Sequence, residues 1–229
     1  MDKTNIASHV ENPDLVDRRR KQIVAAATKL FSDQGFYRTK IKEIAKLAGV
    51  SPGLVYLYVR EKEDVLLLVL LQVVEDYAIE IPKAIEGITD PLERLIRAVD
   101  AYCRVVDRHR SATVLAYRST KSLSPERRLL IQEREIATNS IISDALIACI
   151  SQKLIRPVNV DVLTYQLVLI AHGWALKSWF YKSRLTLDEY INHNVDNMLR
   201  GILTKAGQRS GSAAIRCESA CKVTHLGGM

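Results

Sequence analysis

The twenty residues Thr39-Lys-Ile-Lys-Glu-Ile-Ala-Lys-Leu-Ala-Gly-Val-Ser-Pro-Gly-Leu-Val-Tyr-Leu-Tyr58 constrain the fold more than any other part of the chain. Ile41, Ile44, Ala45 and Ala48 recur at helical spacing, with Thr39 expected as the cap, and Gly49 suits the positive φ of a tight turn. Ser51 followed by Pro52 is a capped helix start, because proline at the first helical position lacks only an N–H that no helix would use. Two short helices joined by a glycine turn cross steeply, which demands a small side chain at the contact, here Ala45, and Val50 packs the turn. Upstream, Ile23, Ala26, Ala27, Leu30 and Phe31 mark one face of a helix over 17–34, stopped at Gly35. By pattern alone this is a helix-turn-helix or a plain three-helix bundle.

Charge bears on those readings without separating them. Residues 17–62 hold eleven Lys/Arg against four acids, an excess of +7 that equals the formal charge of the whole 229-residue chain. The remainder balances to zero. A basic head on a neutral body suits a polyanion-binding module, since phosphate neutralisation supplies most non-specific nucleic-acid affinity. A solvated basic face or a membrane-surface contact fits the same count.

The rest of the chain reads as helices throughout. Val65–Glu80 is apolar on nearly every side until Pro82 ends or kinks it, and further helical patterns cover 91–107, 112–122, 125–153, 160–181 and 187–205. The longest apolar run, Val65–Val74, is interrupted by Gln72 and is about half of what a membrane span needs, and residues 1–14 carry no secretory apolar core, so a cytoplasmic protein is expected. The fold expected is all-α: a flexible arm over 1–16, a three-helix head over 17–62, a larger helical domain over 63–205, and a Gly/Ser-rich flexible tail over 206–229. Cys103 and Cys149 sit in helical apolar patterns and are expected as reduced core thiols, while Cys217-x3-Cys221-x3-His225 matches no standard zinc spacing. No G-x-S-x-G elbow, P-loop or H-E-x-x-H is present and the five histidines have no evident catalytic partner, so neither an enzyme nor a resident cofactor is expected.

The run from Gly35-Phe-Tyr-Arg-Thr39 through Ile44-Ala45, Ala48-Gly-Val-Ser51 and Tyr56-Leu-Tyr58 to Lys62-Glu-Asp64 resembles the N-terminal domain of the TetR family of bacterial transcriptional regulators, over roughly residues 18–66. The resemblance implies a homodimer whose paired heads read a palindromic double-stranded DNA operator, with a C-terminal body that binds a small hydrophobic effector. By position it puts Pro52, Gly53, Leu54, Leu57 and Tyr58 in the major groove and Thr39, Lys40, Lys42, Tyr56 and Lys62 on phosphates, with burial as the other reading for Tyr56 and Tyr58. Apolar Leu54 and Leu57 suit thymine methyls but make no bidentate base contact. The chain departs from the family pattern at Leu54, at Val59 where phenylalanine is usual, and at Glu61, which sets a negative charge beside a phosphate position.

In the body, Tyr102, Cys103, Tyr117, Arg118, Lys121, His172, Trp174 and Trp179 are the effector candidates, each with a structural alternative as a surface pair, core packing or an interface residue. The segment Ala116–Leu123 and the helix containing Trp179 resemble the acyl-CoA-sensing branch of the family, which would give Arg118 and Lys121 an anionic head group to hold. A hydrophobic drug, a phenol or a flavonoid fits the same apolar body. Val162, Leu163, Leu167, Ile170, Ala171, Trp174 and Ala175, with Leu187, Ile191, Val195, Met198, Leu199 and Ile202, read either as a four-helix dimer contact or as monomer core. The rival function is a chromosome-organising or partner-controlled DNA-binding protein without a small effector.

Overall fold

The computed structural model describes residues 6, 10 and 12–210. Its helices are α1 (Pro13–Gln34), α2 (Ile41–Leu47), α3 (Pro52–Tyr56), α4 (Lys62–Ala84), α5 (Pro91–Arg108), α6 (Arg110–Ser119), α7 (Pro125–Ser151), α8 (Val160–Leu176), α9 (Ser178–Tyr181), α10 (Leu187–Ile202) and α11 (Lys205–Arg209), with a 3-10 turn over Thr120–Ser122. Among the described residues there is no strand, only an isolated antiparallel bridge between Ile155 and Leu203. The all-α expectation is met.

Two compact units are present, one comprising Met1–Asp76 with His109–Glu135 and the other Tyr77–Arg108 with Ile136–Met229. The sequence boundary at 62–63 falls inside the first of them. That unit gathers α1, α2, α3 and α6, and its core is built on Ile23, Phe31, Phe36, Ile44, Ala45, Val55 and Val59, all buried. Gly35 (φ 86°) and Gly49 (φ 70°) make the two turns, in a backbone region that costs an L-residue strain. Ala45 is fully buried.

Several local expectations need correction. α1 begins at Pro13, where the Asn12 side chain accepts from the Leu15 N–H, so the first helix starts before residue 17. The cap of α2 is Lys40, not Thr39; Glu43 at the third position accepts the Lys40 N–H (2.8 Å), which holds its carboxyl below the usual range. Thr39 is instead buried, its hydroxyl donating to the Gly35 carbonyl (2.9 Å). Pro82 lies inside the last turn of α4, which continues to Ala84. The flexible tail does not begin at 206: Lys205–Arg209 form α11, capped by Thr204 with Gly207 buried. Cys217, Cys221 and His225 lie outside the described residues.

The second unit packs α5 against α8, with α10 covering both. Cys103 and Cys149 are free and buried in it, and burial pushes their thiols up to about 12 and about 11. Gly173 lets α8 approach α10 closely: a Cβ there would stand 3.0 Å from the Tyr190 hydroxyl, which donates to the Ile170 carbonyl (2.6 Å). Leu163, Leu167, Ala171, Trp174, Ala175, Ile191, Val195, Leu199 and Ile202 are buried within this unit, so the monomer-core reading holds for them. Val162, from the same expected set, is instead exposed, and with Tyr165 and Leu169 it forms the apolar stripe left uncovered on α8.

Candidate nucleic-acid interface and effector site

α3 is positioned by its own cap, the Ser51 hydroxyl accepting the Leu54 N–H (3.2 Å), and by Val55, which is fully buried beneath it. With Val55 inward, Pro52, Gly53, Tyr56 and Leu57 face solvent and Leu54 is half-buried. The tyrosine pair is split: Tyr56 is 49% exposed and Tyr58 only 2%, so Tyr58 is a core residue and its groove assignment is corrected. Lys40 and Lys42 are exposed on α2 and its cap, alongside Arg38, Lys46 and Arg60, which the charge count already contained. These side chains, on α2 and on the segments flanking α2 and α3, can meet phosphates.

Lys62 is placed differently from its phosphate assignment. Its ammonium donates to the carbonyls of Phe36 (2.8 Å), Thr39 (3.1 Å) and Tyr37 (3.3 Å) and sits 4.4 Å over the Phe36 ring. A cation there satisfies carbonyls beyond the C-terminus of α1 and anchors the α1–α2 turn. Replacing Lys62 with alanine is therefore expected to lower stability by about 1–3 kcal/mol while leaving the salt slope of DNA binding unchanged. A melting curve and a salt titration of the variant decide between a turn anchor and a backbone contact.

Glu61 likewise has structural work. It accepts from Arg127 Nη1 (2.8 Å), and Arg127 Nη2 donates to the buried carboxylate of Asp64. Asp64 in turn caps the start of α4 by accepting the N–H groups of Arg60 (2.7 Å) and Glu61 (3.2 Å). Arg20, also buried, donates to the Tyr58 carbonyl (3.3 Å) and the Ile6 carbonyl (2.6 Å), tying α1 to the segment after α3.

The eight effector candidates fall into two sets. Tyr117, Arg118 and Lys121 are exposed on the first unit, where Arg118 borders an open groove of about 400 Å³ with Phe31, Gly35, Arg38, Leu115 and Ser119. Tyr102, Cys103, His172 and Trp174 belong to the second unit. Tyr102 stacks on Tyr77 (centroids 4.1 Å apart) and meets His172 at 5.7 Å. Trp174 is held by its indole N–H donating to Asp107 (2.7 Å) and packs against Tyr190 at 5.1 Å. Trp179, on α9, is 74% exposed. Two inward-facing polar residues escaped the sequence reading: Asn139 on α7 and Thr164 on α8, both buried among apolar neighbours of their own stripes.

Burial lowers the His172 imidazole to about 4, so the folded protein keeps it neutral. Unfolded, this histidine binds a proton near its ordinary value of about 6.5, so the unfolded state holds more protons between the two values and stability falls as pH drops through that window. Acidifying from pH 7.5 to 5 is expected to cost on the order of 1–2 kcal/mol through this group, with no effect above pH 7. Urea unfolding of the wild type and His172→Gln at both pH values measures it, and an equal acid loss in the variant would remove His172 as the cause.

The first match among known families is to the model described as "Bacterial regulatory proteins, tetR family", over residues 23–69, and a second, "Tetracyclin repressor-like, C-terminal domain", covers 89–202. The HTH-type transcriptional regulator HbdR of Aromatoleum sp. (strain CIB) is 48% identical over 219 residues, 93% of this chain and 96% of that protein. The HTH-type transcriptional repressor KstR2 of Mycobacterium tuberculosis is 22% identical over 84% of this chain and 96% of its own length. Among solved structures, the TetR family regulator PfmR of Thermus thermophilus aligns with a TM-score of 0.70 at 25% identity, covering 78% of this chain and 97% of that one. AibR, solved with isovaleryl coenzyme A and operator DNA, aligns at 0.69 and 22% identity over 78% of this chain and 97% of its own.

Proposed function

The chain belongs to the TetR family of DNA-binding transcriptional regulators, and from that membership we propose that it is a homodimeric repressor released from a palindromic operator by a small hydrophobic effector, a fatty acyl-CoA or related CoA thioester. It acts on operator DNA in the cytoplasm; no described helix is long and apolar enough to cross a membrane. The observation that carries the reading is the exposed face of α3, Pro52, Gly53, Tyr56 and Leu57, with Lys40 and Lys42 exposed on the neighbouring α2 and its cap, on a head that holds the whole cationic excess. Those six residues are the proposed contacts, with half-buried Leu54 at the edge; Thr39, Tyr58 and Lys62 support them from inside the head.

The exposed Val162, Tyr165 and Leu169 stripe on α8 supports a two-fold contact between copies, since an apolar face on an otherwise packed helix gains by being covered. Two heads then read half-sites one helical turn, about 34 Å, apart, and an effector that favours another conformation weakens the fit. The fold shared with AibR accommodates a CoA thioester, which supports that ligand class.

The test is operator affinity, by fluorescence anisotropy on the DNA upstream of the gene, with and without a panel of acyl-CoAs, alongside thermal shifts with the same compounds. Binding of a compound to the folded state raises the melting temperature by mass action. A compound that stabilises the protein and weakens operator binding is the expected result. No shift from any compound at saturation would instead favour a DNA-binding protein without a small effector.

A further inference from the structure

Base pairs are told apart in the major groove mainly by hydrogen bonds from Arg, Lys, Asn, Gln, Asp or Glu side chains, and no residue from Ser51 to Val59 is of those types. The structure narrows the choice further. Val55, Tyr58 and Val59 are buried, and the Ser51 hydroxyl accepts the Leu54 N–H as the cap of α3. On the exposed face of α3, Pro52, Gly53, Tyr56 and Leu57, only Tyr56 carries a polar side-chain group to offer a base.

Leu57 is 40% exposed and continues the helical backbone of α3 as its C-cap. It stands four residues after Gly53, so the two lie one above the other on the side opposite fully buried Val55. The apolar group that a major groove offers to such a leucine is the thymine 5-methyl.

Gly53 has no reason of its own inside the head. Gly35 and Gly49 hold positive φ, but Gly53 does not, and a Cβ built on it would meet nothing within 4 Å. Alanine there would favour the helix, because glycine has more backbone freedom to lose. A glycine kept despite that cost suits a helix whose backbone approaches a ligand closely.

We infer that α3 reads its operator through thymine methyl groups and groove shape in place of a base-edge hydrogen-bond code, Leu57 covering a methyl and Gly53 letting the helix lie against the groove floor. This rests on the assignment of α3 to operator DNA above and names the chemistry by which it discriminates.

The probes are two synthetic copies of the operator duplex, one with thymidine and one with deoxyuridine at every thymine, which removes only the 5-methyl groups, together with an unrelated duplex. One buried methyl contributes about fourfold in affinity, so with Leu57 of both heads engaged the wild type is expected to prefer the thymidine operator by at least about tenfold. Leu57→Ala is expected to bind the two copies within about threefold of each other, while Leu57→Met, with an apolar side chain of similar volume, keeps the preference. Gly53→Ala is expected to raise the melting temperature by about 1–4 °C and yet to lose at least about tenfold of the operator's advantage over the unrelated duplex. Equal wild-type affinity for the two operator copies overturns the methyl reading, as does a Leu57→Ala variant that keeps the full preference. A Gly53→Ala variant with undiminished operator preference overturns the close approach. A wild type that binds no duplex even at low salt overturns the assignment of α3 to DNA and this inference with it, an outcome distinct from operator binding that ignores the methyls.

Discussion

Replacing Arg127 with alanine is expected to destabilise the first unit by about 3 kcal/mol, a fall of roughly 6–12 °C in melting temperature for a chain of this size. Arg127 donates to Glu61 and to the carboxylate of Asp64, and the Asp64 side chain is 2% exposed against 26% for Arg127. Removing one partner of a buried pair leaves an uncompensated charge, which costs more than the pair contributes when intact. Arg127→Lys keeps the charge but not the planar fork that spans two carboxylates, so it should fall between wild type and alanine. Asp64→Asn tests the other side: its amide oxygen still accepts the Arg60 and Glu61 N–H groups, and the loss should be smaller than in Arg127→Ala. A melting temperature within about 2 °C of wild type in Arg127→Ala would show that the strut between α7 and the start of α4 is ornamental.

The larger functional effect is expected at Lys40 and Lys42. Both are exposed on α2 and its cap, the helix that packs against α3, and neither ammonium is drawn into the turn as that of Lys62 is. If each meets one phosphate in each head of a dimer, the double alanine variant loses four phosphate contacts. The slope of log affinity against log salt should become shallower by about 3.6, and affinity at 0.1 M salt should fall by up to about a thousandfold, with all sequences affected alike. Salt titrations of wild type, the double variant and Lys62→Ala on operator and on unrelated duplex measure this. A double variant with an unchanged slope would move the DNA-facing surface elsewhere on the head.

Much of the head was legible because its signals are local. Ser51-Pro52 starts α3 and Gly35 and Gly49 end their helices through backbone preferences that need no distant partner. Thr39 misled for a related reason. Its type suits a helix cap, but its hydroxyl is satisfied by the Gly35 carbonyl four residues back, and Glu43 takes over the start of α2. On the effector side, the aromatic and cationic candidates were conspicuous by type, yet the structure distributes them over both units.

The sequence by itself determined the helical architecture, the two short helices α2 and α3 with their glycine turn, the concentration of positive charge on one head and the family to which the chain belongs. Only the tertiary structure decided that Tyr58 is core while Tyr56 faces solvent, that the Lys62 ammonium serves three carbonyls, and that α8 buries Leu163, Leu167 and Trp174 while leaving Val162, Tyr165 and Leu169 uncovered. The reason is that periodicity and capping are set within one or two turns of chain. Which of two apolar stripes is covered, and which cation is neutralised, depends on groups brought together from distant positions, such as Lys62 and the carbonyl of Phe36.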